Sequence, residues 1–136
     1  MGVNIDYEDN LDEVLGALAN AIDRGFRAIG ETAVGHAQDK VPVKTGNLKN
    51  SIVYEVDRTD GKVTLNIGSN VEYAPYVELG TGIYAEDGRQ TPWSYKDEEG
   101  IWHWTRGNKA QPFLKPAATE HRTEYINIMK DSLENA

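Results

Sequence analysis

Between Asn10 and Lys40, apolar side chains return every three or four residues: Leu11, Leu15, Leu18, Ile22, Phe26, Ile29, Ala33 and Ala37, with Val14 and Ala19 widening the stripe. That period belongs to a helix with one buried face and predicts an amphipathic helix over 10–40. Asn10 or Asp9 is placed to cap its start, and Asp12 and Glu13 fall where the helix dipole favours anions. Pro42 ends it, because it disfavours helix at Val41 and has no N–H to continue the ladder. At 1.5 Å per residue the helix would run about 45 Å, longer than a small domain needs. Gly16, Gly25, Gly30 and Gly35 punctuate it, each costing up to about 1 kcal/mol relative to Ala. They permit either a bend or a close approach by another helix.

The pattern then changes period. Thr45-Gly46-Asn47-Leu48 reads as a tight turn or a single helical turn capped by Thr45, with Leu48 as anchor. Ser51–Val56 and Lys62–Gly68 alternate apolar and polar, and Asp60-Gly61 between them supplies a hairpin turn, giving a β-hairpin over 51–68. Pro75 to Leu79 fits one helical turn ended by Gly80, with Thr81-Gly82 as a flexible exit. A second hairpin over 93–105 pairs Trp93–Lys96 with Ile101–Thr105 around a four-residue loop, Asp97–Gly100. That loop length sets Tyr95 opposite Trp102 and Trp93 opposite Trp104, so all four aromatics share one face and Ser94, Lys96, Ile101, His103 and Thr105 the other. A final amphipathic stripe, from Ala117 and Ala118 through His121, Tyr125, Ile128, Met129 and Leu133, predicts a helix over 116–134 with Pro116 in its first turn. The elements amount to an α+β fold. Its long N-terminal and C-terminal helices pack on an antiparallel sheet, and a Trp-rich hairpin protrudes.

Composition narrows the function more than the fold. A chain of 136 residues is most simply a single domain spanning 1–136. A net charge of −8 argues against a protein that grips phosphates, since that affinity comes from Lys and Arg. Residues 1–40 hold eight acidic and three basic side chains, so the acidity is concentrated in the first forty residues. Without cysteine there is neither disulfide nor thiolate metal site. The acidic start lacks an apolar signal segment, no stretch is apolar enough to span a bilayer, and Asp6 stands where myristoylation wants Ser or Thr. The chain is expected to be soluble and unexported.

Candidate chemistry is sparse. His36, His103 and His121 are the only side chains suited to proton transfer near neutrality, and none stands in a metal-binding or nucleophile-elbow spacing. Glu120, His121 and Glu124 lie within one helical turn, which the sequence explains as a solvated face. Glu72 and Glu78 flank a tyrosine-rich turn. Paired carboxylates can hydrolyse glycosidic bonds, but no second polar cluster accompanies them, and a structural role for Glu78 is preferred. Gly80-Thr81-Gly82 is too short for a phosphate loop and reads as a hinge or turn. The tryptophans admit an interface anchor, a small satellite core or a stacking platform for ligands. Lys96, Arg106 and Lys109 nearby could meet an acidic neighbour. No cofactor is implied.

Three phrases carry a resemblance. Val41, Pro42, Thr45, Gly46, Leu48 and Ser51 match one. Tyr73, Ala74, Val77, Glu78, Gly80 and Thr81 match a second, and Pro112, Phe113, Leu114, Pro116 and Ala117 a third. In this order, with the expected elements between them, they resemble the neck or tail-completion ("gene ten product-like") family of long-tailed bacteriophages over residues 10–130. Ile83 to Gln90 match none of its phrases. The resemblance implies a virion structural protein without catalytic residues, assembled in the host cytoplasm. It would form a homo-oligomeric ring, for example a hexamer, between the head connector or stopper and the tail terminator or tail tube. Genome DNA would pass through without specific binding, and no membrane would be involved. Tyr73, Tyr76, Glu78, Trp93, Tyr95, Trp102 and Trp104 are then the candidate interface residues. Pro42, Thr45, Gly46, Leu48, Gly80, Gly82, Pro112, Phe113 and Pro116 are structural joints. The competing readings are a carbohydrate-binding module using the tryptophans and a small carboxylate-dependent hydrolase.

Overall fold

The computed structural model describes residues 3–42, 46–59 and 61–136, with side chains from residue 12 onward. Helix α1 spans Val3–Lys40, α2 Asn47–Ser51, β1 Ile52–Thr59 and β2 Lys62–Ser69. They are followed by α3 Ala74–Leu79, a 3₁₀ turn Gly82–Tyr84, β3 Trp93–Lys96, β4 Trp102–Thr105, α4 Leu114–Thr119 and α5 Arg122–Glu134. The fold is α+β, with two separate two-stranded antiparallel sheets among the described residues.

Helix α1 starts earlier than the apolar stripe suggests. No Pro or Gly interrupts the chain between Val3 and Leu15, so the helix runs through the expected caps at Asp9 and Asn10. Its 38 residues reach about 57 Å. The β1–β2 hairpin packs along one side of α1. Tyr54 lies so close to Gly30 that an added Cβ would sit 2.5 Å from its ring, and Arg58 bonds Asp23 further toward the N-terminus. Helix α5 runs antiparallel along another side: Glu124 meets His36, Met129 crosses over Gly25, and the Ser132 hydroxyl donates to the Ala21 carbonyl. Two of the four helix glycines thus serve close approach, one to a sheet side chain and one to a helix.

The predicted C-terminal helix is divided. The Ala117 carbonyl, which would accept the His121 N–H in a continuous helix, accepts the Tyr125 hydroxyl instead. Glu120 still has right-handed helical dihedrals, the chain leaves them at His121, and the helix restarts at Arg122.

The core gathers Ala37, Val41, Leu48, Ile52, Ala74, Phe113 and Ala117, with Val77 and Leu114 packed against it. All three sequence phrases contribute to it. Pro42 terminates α1 beside buried Val41. Gly46 opens α2 with φ 71°, a left-handed conformation that suits glycine, and Leu48 drops into the core. The caps proposed for Thr45 and the turn residue Asp60 lie outside the described residues. At the other end of the hairpin turn, Gly61 has φ 73°, and Thr59 pairs with Lys62 across the two-residue loop.

Candidate assembly interface

Within the second phrase, Ala74 is buried in the core, and Gly80, with a φ of 82°, closes α3. Between them, Glu78 reaches across to the third phrase. Its Oε2 accepts the N–H groups of Phe113 at 2.7 Å and Leu114 at 3.0 Å, and its Oε1 that of Lys115 at 2.8 Å. These are the amides a helix leaves unpaired at its start, and the next residue, Pro116, has none to offer. Glu78 is therefore the N-terminal cap of α4, supplied from 35 residues away. Pro112 leads into this cap from the surface, while Phe113 is fully buried.

Thr81 and Gly82 were expected to be a flexible exit, and they are the opposite. The Thr81 N–H donates to the Asn108 carbonyl at 2.9 Å, and the Asn108 N–H donates to the Thr81 hydroxyl at 2.8 Å. The Ile83 N–H donates to the Arg106 carbonyl. Gly82 is buried with φ 61°, and a Cβ there would sit 1.9 Å from the Arg106 oxygen. Two backbones cross with only hydrogen between them, and this crossing is the base of the Trp arm.

The arm's register also corrects the expectation. Trp93 pairs with Thr105, Ser94 with Trp104, Tyr95 with His103 and Lys96 with Trp102. The loop is Glu98–Gly100, flanked by the Asp97–Ile101 pair. Asp97 N–H donates to Ile101 O at 2.9 Å, Gly100 N–H to Asp97 O at 3.0 Å, and Gly100 takes φ 82°. A type I turn completed by a left-handed glycine is a three-residue connection, and the one-residue change moves β4's side chains to the other face. The four aromatics are consequently split.

One face carries Trp93, under the Arg89 guanidinium at 5.5 Å, and Tyr95, stacked on His103 at 5.2 Å. His103 Nε2 lies 2.7 Å from Asp97, whose carboxylate also accepts the Ile101 and Glu99 N–H groups. The His103 hydrogen bond, then that of Ile101, holds Asp97 below the usual carboxylate range. The other face carries Trp102 and Trp104, 67% and 76% exposed, with Lys96 and Ser94. Tyr73 and Tyr76 are exposed on α3's edge of the molecule. Tyr76 and Trp93 share a groove of about 620 Å³ with Leu79, Gly82 and Arg89. The structure thus joins Tyr76 to Trp93, sets Trp102 and Trp104 apart on a free face, and gives Glu78 an internal partner.

His121 and Glu124, which the sequence places within one helical turn and explains as a solvated face, are joined at the start of α5 by His36 of α1, whose approach has no signal in the sequence. The separation of His36 from Glu124 by 88 residues hides it from any spacing rule. Among the described residues, no helix is long and apolar enough to cross a membrane.

No curated protein and no solved structure matches the chain at a significant level. A family model does, described as "Bacteriophage HK97-gp10, putative tail-component", over residues 6–80. The match takes in α1 from residue 6 onward, the first phrase, the β1–β2 hairpin and the second phrase as far as Gly80. The Trp arm and the third phrase lie beyond it. A phage tail-component family implies a structural role in the virion. With more than half of its length covered, the chain belongs to the HK97-gp10-like family of bacteriophage tail components.

Proposed function

We propose that the protein is a neck or tail-completion subunit. It assembles as a homo-oligomeric ring between the head connector and the tail, with genome DNA passing through and no catalysis of its own. The observation that carries this reading within the family's general role is the free face of the β3–β4 arm. Trp102 and Trp104 stand on one strand, mostly exposed, on a hairpin whose two outer edges are unpaired among the described residues. Exposed tryptophans of this kind are interface anchors, and open strand edges invite a neighbour's strand. The acidic long helix supports a lumen that repels rather than binds DNA. Assembly would take place in the bacterial host cytoplasm. The engagement of both Glu78 oxygens by backbone amides supports a structural use of that carboxylate over a hydrolytic one.

The test is the double substitution Trp102→Ser with Trp104→Ser in the phage genome. The expected result is full heads and tails that fail to join, with the purified variant folded as the parent. Normal infectious particles would overturn the arm's role. A sugar panel that quenches tryptophan fluorescence in the parent but not in the variant would favour the carbohydrate-binding alternative instead.

A further inference from the structure

We propose that His36, His121 and Glu124 form a binding site for a divalent transition-metal ion of the zinc class, which clips α1 to the α4–α5 junction. The three side chains come from two elements and meet at one place. One nitrogen of each imidazole and a carboxylate oxygen all lie within 4.8 Å of one another, with His36 Nε2 and Glu124 Oε1 2.9 Å apart. The imidazoles are stacked face to face, with centroids 3.5 Å apart and planes within 3°. Tyr125 backs both rings at 6.3 and 6.2 Å and is itself held by its bond to Ala117.

Two imidazoles and a carboxylate are the donor set of open zinc sites, which leave a position for water. Tetrahedral coordination at about 2.0–2.1 Å requires donor atoms about 3.3 Å apart and metal in each ring's plane. The pair therefore has to splay from its stack by side-chain rotation. The place allows it: Glu124 is 46% exposed, and His121 lies in the break between α4 and α5, outside helical geometry. The break has a use on this reading, since it frees His121 from the helix and turns it toward α1. Hard cations are a poorer match, because Mg²⁺ and Ca²⁺ select oxygen donors.

The experiment uses the full chain without a histidine tag. Zn²⁺ at a hundredfold excess over its Kd should raise the melting temperature by about 9 °C, whereas Mg²⁺ should leave it unchanged. Calorimetry should give one ion per chain. His121→Gln and Glu124→Gln should each weaken Zn²⁺ binding at least tenfold, with circular dichroism confirming that the variants fold. Paramagnetic Ni²⁺ should broaden the ring resonances of His36 and His121 in the parent and spare His103, whose own carboxylate neighbour Asp97 makes it an internal control. That measurement stands even if a variant fails to fold. No stabilisation by Zn²⁺, an equal response to Mg²⁺, or broadening of all three histidines alike would overturn the site.

Discussion

Replacing Glu78 with Ala tests the link that ties the second sequence phrase to the third. The substitution strips three N–H groups, those of Phe113, Leu114 and Lys115, of their shared acceptor. A single side-chain cap is worth about 1 kcal/mol, a hydrogen bond to a charged group about 1.5–3 kcal/mol, and a carboxylate at a helix N-terminus about 0.3–1 kcal/mol. Glu78 is half-buried, so water would replace part of what is lost, and the sum is discounted to about 2–4 kcal/mol. Glu78→Gln keeps an oxygen acceptor without the charge and should cost about 1–2 kcal/mol. Urea unfolding followed by circular dichroism reads both values as shifts in midpoint at constant slope. Hydrogen exchange should localise the loss, with the amides of residues 113–115 exchanging faster in Glu78→Ala. A cost below about 0.5 kcal/mol, or unchanged exchange at those three amides, would refute the cap.

Phe113→Ala removes the largest fully buried side chain among the described residues and should cost about 3–5 kcal/mol in the same unfolding assay. Gly82→Ala forces a Cβ against the Arg106 carbonyl at a left-handed φ and should cost more than about 1 kcal/mol, with proteolysis appearing first between residues 83 and 107. Because Asp97 is held below the usual carboxylate range, its support of the arm is present above its unfolded value and is lost as pH falls through the lowered folded one. Acid titration of tryptophan fluorescence should show this loss below the ordinary carboxylate range. In Asp97→Asn the arm should be loosened already at neutral pH and show no such step, so identical acid profiles would count against the loop geometry. The Trp102→Ser, Trp104→Ser variant should unfold within about 0.5 kcal/mol of the parent, since neither ring is packed in the core.

Periodicity made the helices and hairpins legible because each has a face that must be buried. Ile29, Ala33 and Ala37 of the stripe are buried, and the β1–β2 turn was marked by Gly61. What it could not supply were distances across the chain. A structural role for Glu78 was legible but its partners at Phe113, Leu114 and Lys115 were not, and His36 shows no partner until α5 folds back. The arm's register failed for a local reason: counting loop residues does not reveal that Gly100 takes a left-handed turn, and one residue reverses a strand's faces. The Gly80–Gly82 segment failed in the same way, because glycine marks both mobile backbone and backbone in tight contact. Only the carbonyl of Arg106 against Gly82 distinguishes them.

The three phrases thus meet in one core, and the apolar surface that remains outside it bears on assembly. Half of the ten buried apolar side chains found among the described residues are alanine, so the core is thin and leans on Val41, Leu48, Ile52 and Phe113. Away from it, Val14, Leu15 and Leu18 on the projecting part of α1 and Trp102 and Trp104 on the arm face water. Burying the exposed part of two tryptophans removes about 200–350 Å² from water, worth about 5–9 kcal/mol at 25 cal/mol per Å². Association itself costs about 4–15 kcal/mol. One arm contact is therefore close to balance on its own, whereas the contact that closes a ring forms intramolecularly, without a further association cost. On the proposed function, the purified chain at micromolar concentration should sediment as a monomer and assemble when a ring of its neighbour in the virion is supplied as template. A chain that stays monomeric on every isolated head or tail would remove the arm as the joining surface.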